Sequence, residues 1–154
     1  MEEVNLPPFK TAIDEGVSSI MTSHAIYPVM DPGLPGTLSR KVLTTLLREK
    51  LGFQGLIITD DLEMGAISKK WGTADGAALS FGAGADLLLI CEDQTKVKEG
   101  IEAIKRRVLQ GKISFNRLHQ SVERIMDAKS GFLTEKKEIS LEKVRSYFSL
   151  QKNS

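Results

Sequence analysis

The chain has little of what several specialised classes of protein require. A single cysteine, Cys91, excludes an internal disulfide framework and a multi-thiolate metal site, and two histidines cannot build a His-rich one. Neither a metal nor any other cofactor is therefore expected. No apolar run approaches the about 18 residues of a membrane-spanning helix. The opening MEEVNLPPFK lacks the regions of a signal peptide, so the expectation is a cytoplasmic chain with no membrane partner. Lys and Arg total 21 against 20 Asp and Glu, and the net charge of +1 leaves no strongly basic footprint for a nucleic acid. What is present is ordinary: 154 residues, 41% hydrophobic, with 13 glycines, and 27% charged without long blocks of one sign. That composition suits a globular chain of one domain and excludes disorder throughout.

One phrase recurs along the chain: an amphipathic helix, a glycine, a short apolar strand and a polar loop. The first helix is expected from Pro7 to Glu15, with prolines at its start and Gly16 at its end. The strand Ser18–Ser23 follows, closing at His24, and then a loop whose three prolines exclude regular structure. Ser39 is expected to cap a helix with Val42, Leu43, Leu46 and Leu47 on one face, followed by Gly52 and a strand from Gly55 to Asp60. Thr73 is expected to cap a third helix, broken by Gly82 and Gly84 before a strand from Asp86 to Ile90. Val97, Ile101, Ile104 and Val108 line one helix beyond it. Leu118, Val122, Ile125 and Met126 line another, with Ser114 as its cap. Residues 1–133 form the folded unit. Residues 134–154 form a charged tail with one short helix, Leu141, Val144 and Phe148 facing inward. Strands thirty to forty residues apart suit parallel βα units, and nearly all-apolar strands suit a sheet covered on both faces. The fold class is α/β.

Ligands in parallel α/β folds gather at the carboxyl ends of the strands. Those ends carry His24, then Asp60 and Asp61, then Cys91, Glu92 and Asp93. Asp60 and Asp61 either face a substrate or cap a short helix near Leu62–Ala66. His24 either contacts a ligand or is a satisfied structural histidine. His119 lies on the polar side of its helix, and Cys91 is expected to be buried without a base to make it a thiolate. Trp71 is read as packing, and Lys105-Arg106-Arg107 as a solvated helix face. The adjacent acids do not match the Asp-x-Asp of haloacid dehalogenase-type phosphatases. There is no P-loop and no G-x-S-x-G elbow, and Gly82-x-Gly84 precedes a strand where a dinucleotide fingerprint would follow one.

The longer motifs are Leu6-Pro-Pro-Phe-Lys10, Ile20-Met-Thr-Ser-His24, Tyr27-Pro28, Asp31-Pro32, Thr37-Leu-Ser39, Leu47-Arg-Glu-Lys-Leu-Gly-Phe53 and Ile57-Ile-Thr-Asp-Asp-Leu-Glu-Met-Gly-Ala-Ile67. Together they resemble glycoside hydrolase family 3, in particular its β-N-acetylhexosaminidase branch. Arg117-Leu118, Ser121-Val122 and Arg124-Ile125 resemble the helix that ends that family's catalytic domain. The resemblance covers about Leu6 to Leu133. It implies a retaining glycosidase on a (β/α)8 barrel, with terminal β-linked N-acetylglucosamine as substrate. Asp60 matches the family nucleophile that forms a covalent glycosyl-enzyme. His24 and Met64 match the substrate side of the pocket, and Asp61 a supporting or capping position.

The departure from the family is equally informative. Its general acid/base, a His–Asp pair on a K-H-x-x-G-x-G loop, has no counterpart in this chain, and neither do the upstream residues that hold sugar hydroxyls. The three strands resemble the last three of the barrel, a fold of about 250 residues. The expectation is thus a partial barrel, the last three βα units plus C-terminal helices, whose partner is a missing N-terminal half-domain. Alone, such a chain should be marginal or self-associating and without glycosidase activity. The alternative is a non-catalytic half-barrel that binds sugar or a partner. A β-glucosidase is disfavoured because that branch places a bulky aromatic where this chain has Asp61.

Overall fold

Central to the fold is β2, Leu56–Asp61, which pairs in parallel with β1, Ser19–Met21, on one side and β3, Leu87–Leu89, on the other. The computed structural model describes residues 5–133 and 140–150. Ser19, Ile20 and Met21 stand opposite Leu56, Ile57 and Ile58, and Ile58 stands opposite Leu87. The class is α/β, as the strand spacing predicts. Helices α1, Pro7–Asp14, α3, Thr73–Ala83, α4, Gln94–Leu109, and α5, Phe115–Phe132, accompany the sheet, with a short α2, Gly65–Ser68, after β2.

Several local expectations are corrected. β1 is shorter than Ser18–Ser23, so His24 lies three residues beyond the strand, and β3 ends before Ile90. The short turn after β2 begins at Gly65, because the Asp61 carboxylate first closes a turn onto the Glu63 N–H at 3.1 Å. Gly72, at φ 76°, takes the N-cap position expected for Thr73. The segment after Ser39 winds as a π-helix, Lys41–Lys50, in which the Leu51 N–H reaches back to the Leu46 carbonyl. Ser39, two residues before it, still caps the segment as expected: its hydroxyl accepts the Val42 N–H at 3.4 Å while donating to Asp31 Oδ2 at 2.7 Å. Ser114 does cap α5, accepting the Arg117 N–H at 3.1 Å.

The sheet is covered on one face. Ile57 is fully buried with Leu43, Leu47, Phe53, Ala83 and Ala85, and Ile20 and Leu88 pack against them. Leu56 and Ile58, which point the other way by strand alternation, are only half-buried, and Met21 is 57% exposed. The apolar character of both faces, read as a sheet covered on two sides, instead leaves one side open among the described residues. A second cluster, Leu38, Leu62, Ile67 and Ala77, holds Trp71 as packing, and Phe81, Val108 and Ile113 form a third.

The α5 helix turns differently from its apolar pattern. Val122 and Met126 are exposed, while Arg117, Ser121 and Arg124, spaced to share one face, turn inward. On α4, Ile101 is likewise exposed, and Gly100, Ala103 and Val108 are the buried positions. Within the expected tail, α6, Leu141–Leu150, is helical, but Leu141 and Phe148 are exposed and Val144 sits at 36%, so they do not face inward. Residues 134–139 and 151–154 of that tail lie outside the described residues.

Two glycines are dictated by close approach. A Cβ on Gly55 would stand 2.5 Å from the Ser18 carbonyl oxygen, where the chain enters β2. Gly84 adopts φ +131°, and a Cβ there would meet Thr44 Oγ1 at 2.9 Å.

Candidate functional site

At its carboxyl end β2 gains one residue on β3: three steps from Ile58 to Asp61 match two from Leu87 to Leu89. The bulge is stabilised by Thr59, whose hydroxyl accepts the Leu89 N–H at 2.9 Å. Bulges of this kind bend a strand and redirect its side chains, and they collect beside active sites. Asp60 lies inside this irregularity, on the same open face as Leu56 and Ile58. It is half-buried, and among the described residues its one hydrogen bond is the Asp61 N–H, 2.8 Å from Oδ1. One carboxylate oxygen is thereby oriented and the other is left available, which suits a nucleophile or an electrostatic partner for developing positive charge.

His24 is brought to the same rim, but its polar atoms are already committed. Nε2 lies 2.9 Å from the Asp61 carbonyl, which can only accept, so Nε2 carries the proton. Nδ1 is paired with the Thr37 hydroxyl at 2.8 Å, which is paired in turn with that of Thr22 at 2.7 Å. Of the two readings of His24, the satisfied structural histidine therefore accounts for both nitrogens, and a ligand would meet only the ring edge. Met64, 46% exposed, stands on the same turn, its N–H bonded to the Asp61 carbonyl at 3.1 Å. Asp61 links the three, bonding through its N–H, its carbonyl and its carboxylate. His119 is remote from this rim, on the exposed side of α5 and 3.1 Å from Glu123.

Glu63 was not legible as a site residue, although it sits inside the most specific motif. Its side chain is 6% exposed, and Oε2 accepts the N–H groups of Glu92 and Asp93 at 2.6 and 3.2 Å. Oε1 receives Lys96 Nζ at 2.9 Å. The Lys96 bond, then the Glu92 N–H, holds the carboxyl down at about 2. Glu63 thus ties the loop after β2 to the loop after β3, which carries Cys91, Glu92 and Asp93. Cys91 is exposed rather than buried, because β3 has already ended at Leu89. Partial desolvation, with the carboxylates of Asp61, Glu63 and Asp60, pushes its thiol up, which keeps it neutral.

A second polar cluster occupies the opposite, amino-terminal end of the strands. The Asp86 side chain is fully buried there, accepting Arg48 Nη2 at 2.5 Å, the Ile57 N–H at 3.0 Å and the Ser121 hydroxyl at 2.6 Å. Arg124 and Arg117 approach its other oxygen at 3.3 and 3.5 Å. Arg48 also donates to the carbonyls of Phe53 and Gly55, and Arg117 to that of Ala85. The cluster locks α5 and the π-helix to the sheet far from Asp60. The amino end of the sheet is thus held together by a buried ion-pair network, apart from the rim at the carboxyl end.

The chain is similar to known proteins along most of its length. Residues 1–128 match the family described as the glycosyl hydrolase family 3 N-terminal domain. A β-hexosaminidase of Nitrosomonas eutropha is 38% identical over 105 residues, which cover 68% of this chain and 30% of that protein. An uncharacterised secreted glycosyl hydrolase of Arthroderma benhamiae is 37% identical over 128 residues, 80% of this chain and 35% of that one. The solved glycoside hydrolase family 3 β-N-acetylglucosaminidase from Paenibacillus sp. FPU-7 superposes with a TM-score of 0.85 at 39% identity, covering 88% of this chain and 26% of the other. The chain spans about a third of the length of the curated relatives it matches.

Proposed function

The chain belongs to glycoside hydrolase family 3, and from that premise we propose that it carries the nucleophile of a retaining β-N-acetylhexosaminidase acting on terminal β-linked N-acetylglucosamine. The observation that supports this most directly is Asp60, placed by a bulge at the carboxyl end of the central strand with one carboxylate oxygen oriented and the other free. In the reaction, that oxygen attacks the anomeric carbon. The C1–O bond to the leaving group breaks with its electron pair, and a glycosyl ester of Asp60 forms; water then attacks C1 and releases the carboxylate. His24 and Met64 form the substrate side of the rim. His24 acts chiefly by holding Asp61, and hence Asp60, in place.

The leaving group needs a proton, and neither histidine is free to give it: His24 has both nitrogens engaged and His119 is remote. The acid is therefore assigned to a further part of the catalytic domain, of the kind the longer relatives possess. Two features support such a partner segment: β1 has a free edge among the described residues, and Met21, Phe9, Ile26 and Val29 leave an apolar surface beside it. A groove of about 540 Å³ runs along that surface between α1 and the π-helix. The strands that precede β1 in a (β/α)8 barrel would seat there, making these three strands part of a closed barrel.

A donor that needs no acid tests the nucleophile by itself. A 5-fluoro N-acetylglucosaminyl donor with an activated leaving group should add one glycosyl unit to the peptide containing Asp60. Peptide mass mapping should show that adduct, and Asp60→Asn should lose it. Label on another residue, or none when the chain is combined with the remaining catalytic segment of a relative, would refute the assignment.

A further inference from the structure

We infer that the groove over the amino-terminal ends of the strands binds a compact, multiply charged oxyanion of the phosphate class, in a site separate from the sugar-facing rim. The groove, about 370 Å³, lies between the π-helix, the C-terminal end of α3 at Gly82 and Gly84, and the start of α5. Its walls hold Arg40, Arg48, Lys112, Arg117 and Arg124, against a single acid, Glu49. The buried Asp86 beneath offsets one more charge and leaves a local excess of three positive charges in a chain whose net charge is +1. The even overall charge therefore hides a segregated one.

Three observations show that this excess is uncompensated by the protein. Arg40 and Lys112 are exposed and have no acidic partner among the described residues. The Nε–H of Arg117 is buried without a hydrogen-bond partner. Desolvation, with repulsion from Arg124 and Arg117, lowers the Arg48 guanidinium to about 10 despite Asp86 beside it. Arg48, Arg117 and Arg124 are held by Asp86 and backbone carbonyls and supply the positive field, while the exposed Arg40 and Lys112 are free to close on the several oxygens of a phosphate; a monovalent carboxylate would leave most of the charge unmet. The site stands at the opposite end of the strands from Asp60, so it does not depend on the glycosidase reading.

The test is a titration of the full 154-residue chain with inorganic phosphate and with a hexose phosphate at low salt, followed through the amide resonances of Gly82, Gly84 and Ser114. Saturable shifts are expected, with acetate producing none. Equal affinity for the two probes identifies the free anion, and tighter binding of the hexose phosphate identifies a phosphorylated sugar. Arg40→Gln and Lys112→Gln should each weaken binding about tenfold, since each removes one charge-assisted contact. Glu49→Gln should tighten it, and Lys98→Gln, the same charge change on α4, should leave it unaltered. Absence of saturation, acetate binding as well as phosphate, or indifference to Arg40, Lys112 and Glu49 would overturn the inference.

Discussion

Replacing Asp86 by Asn should strongly destabilise this chain, although the change alters one atom and lies at the other end of the strands from Asp60. The carboxylate is fully buried and receives five donors: three arginines, a backbone N–H and a serine hydroxyl. A carboxamide accepts on one oxygen only. Its NH2 must then face either Arg48 and the Ile57 N–H, or Ser121 with Arg117 and Arg124, and in that set only the serine can reverse to accept. Removing one partner of a buried ion pair costs about 3–5 kcal/mol, because the remaining charges stay desolvated. Side-chain exposures of 11% for Arg48 and 16% for Arg117 put this case in that range, and 25% for Arg124 lets it relax toward water. Against a typical total of about 5–15 kcal/mol, the loss is at least about a fifth of the stability of an ordinary domain and all of it at the marginal end. It corresponds to a drop in Tm of roughly 10 °C for a chain of this length. Urea unfolding followed by the single tryptophan, Trp71, provides the assay, since that residue packs in a different cluster. Adding Arg48→Met to Asp86→Asn should cost little more, because the second change removes a charge the first has orphaned. An Asp86→Asn variant within about 1 kcal/mol of the parent, the size of an average substitution, would refute the reasoning.

Two further outcomes follow from the rim. Glu63, held at about 2 against an ordinary 4.5, stabilises the folded loop fully above the ordinary value. That contribution should fade as pH falls from 4.5 toward 2; protection of the Glu92 and Asp93 amides, taken relative to their intrinsic exchange rates, should fall over this range, and Glu63→Gln should remove that pH dependence of protection. His24→Phe keeps a ring but removes the hydrogen bonds to Thr37 and to the Asp61 carbonyl. It should cost about 1–3 kcal/mol in urea unfolding and slow glycosyl labelling of Asp60. Unchanged labelling with reduced stability would make His24 structural alone.

The interval between strands and the glycines that end the helices are local properties of the chain. They were enough to give the α/β class and to set Asp60 and Asp61 at the carboxyl end of a strand, because a βα unit is written in contiguous residues; the order of the strands and the choice between a substrate-facing and a capping role were not local properties. The Ile57–Ile67 motif went further and pointed to the family. The pairings that complete the site join residues some thirty positions apart: His24 with Asp61, Glu63 with Glu92 and Asp93, Asp86 with Arg48, Arg117 and Arg124. No periodicity announces such pairs, so Asp86 looked like the start of an apolar strand, and the expected inward face of α5 was its apolar one, Leu118, Val122, Ile125 and Met126. Only the packed structure turns that polar face inward, since a carboxylate buried at the foot of the sheet is tolerable only with cations around it. The chain's own order thus determined where Asp60 stands. Tertiary contact decided what aims it, which loop is tied beside it, and where the positive charge gathers at the other end of the strands.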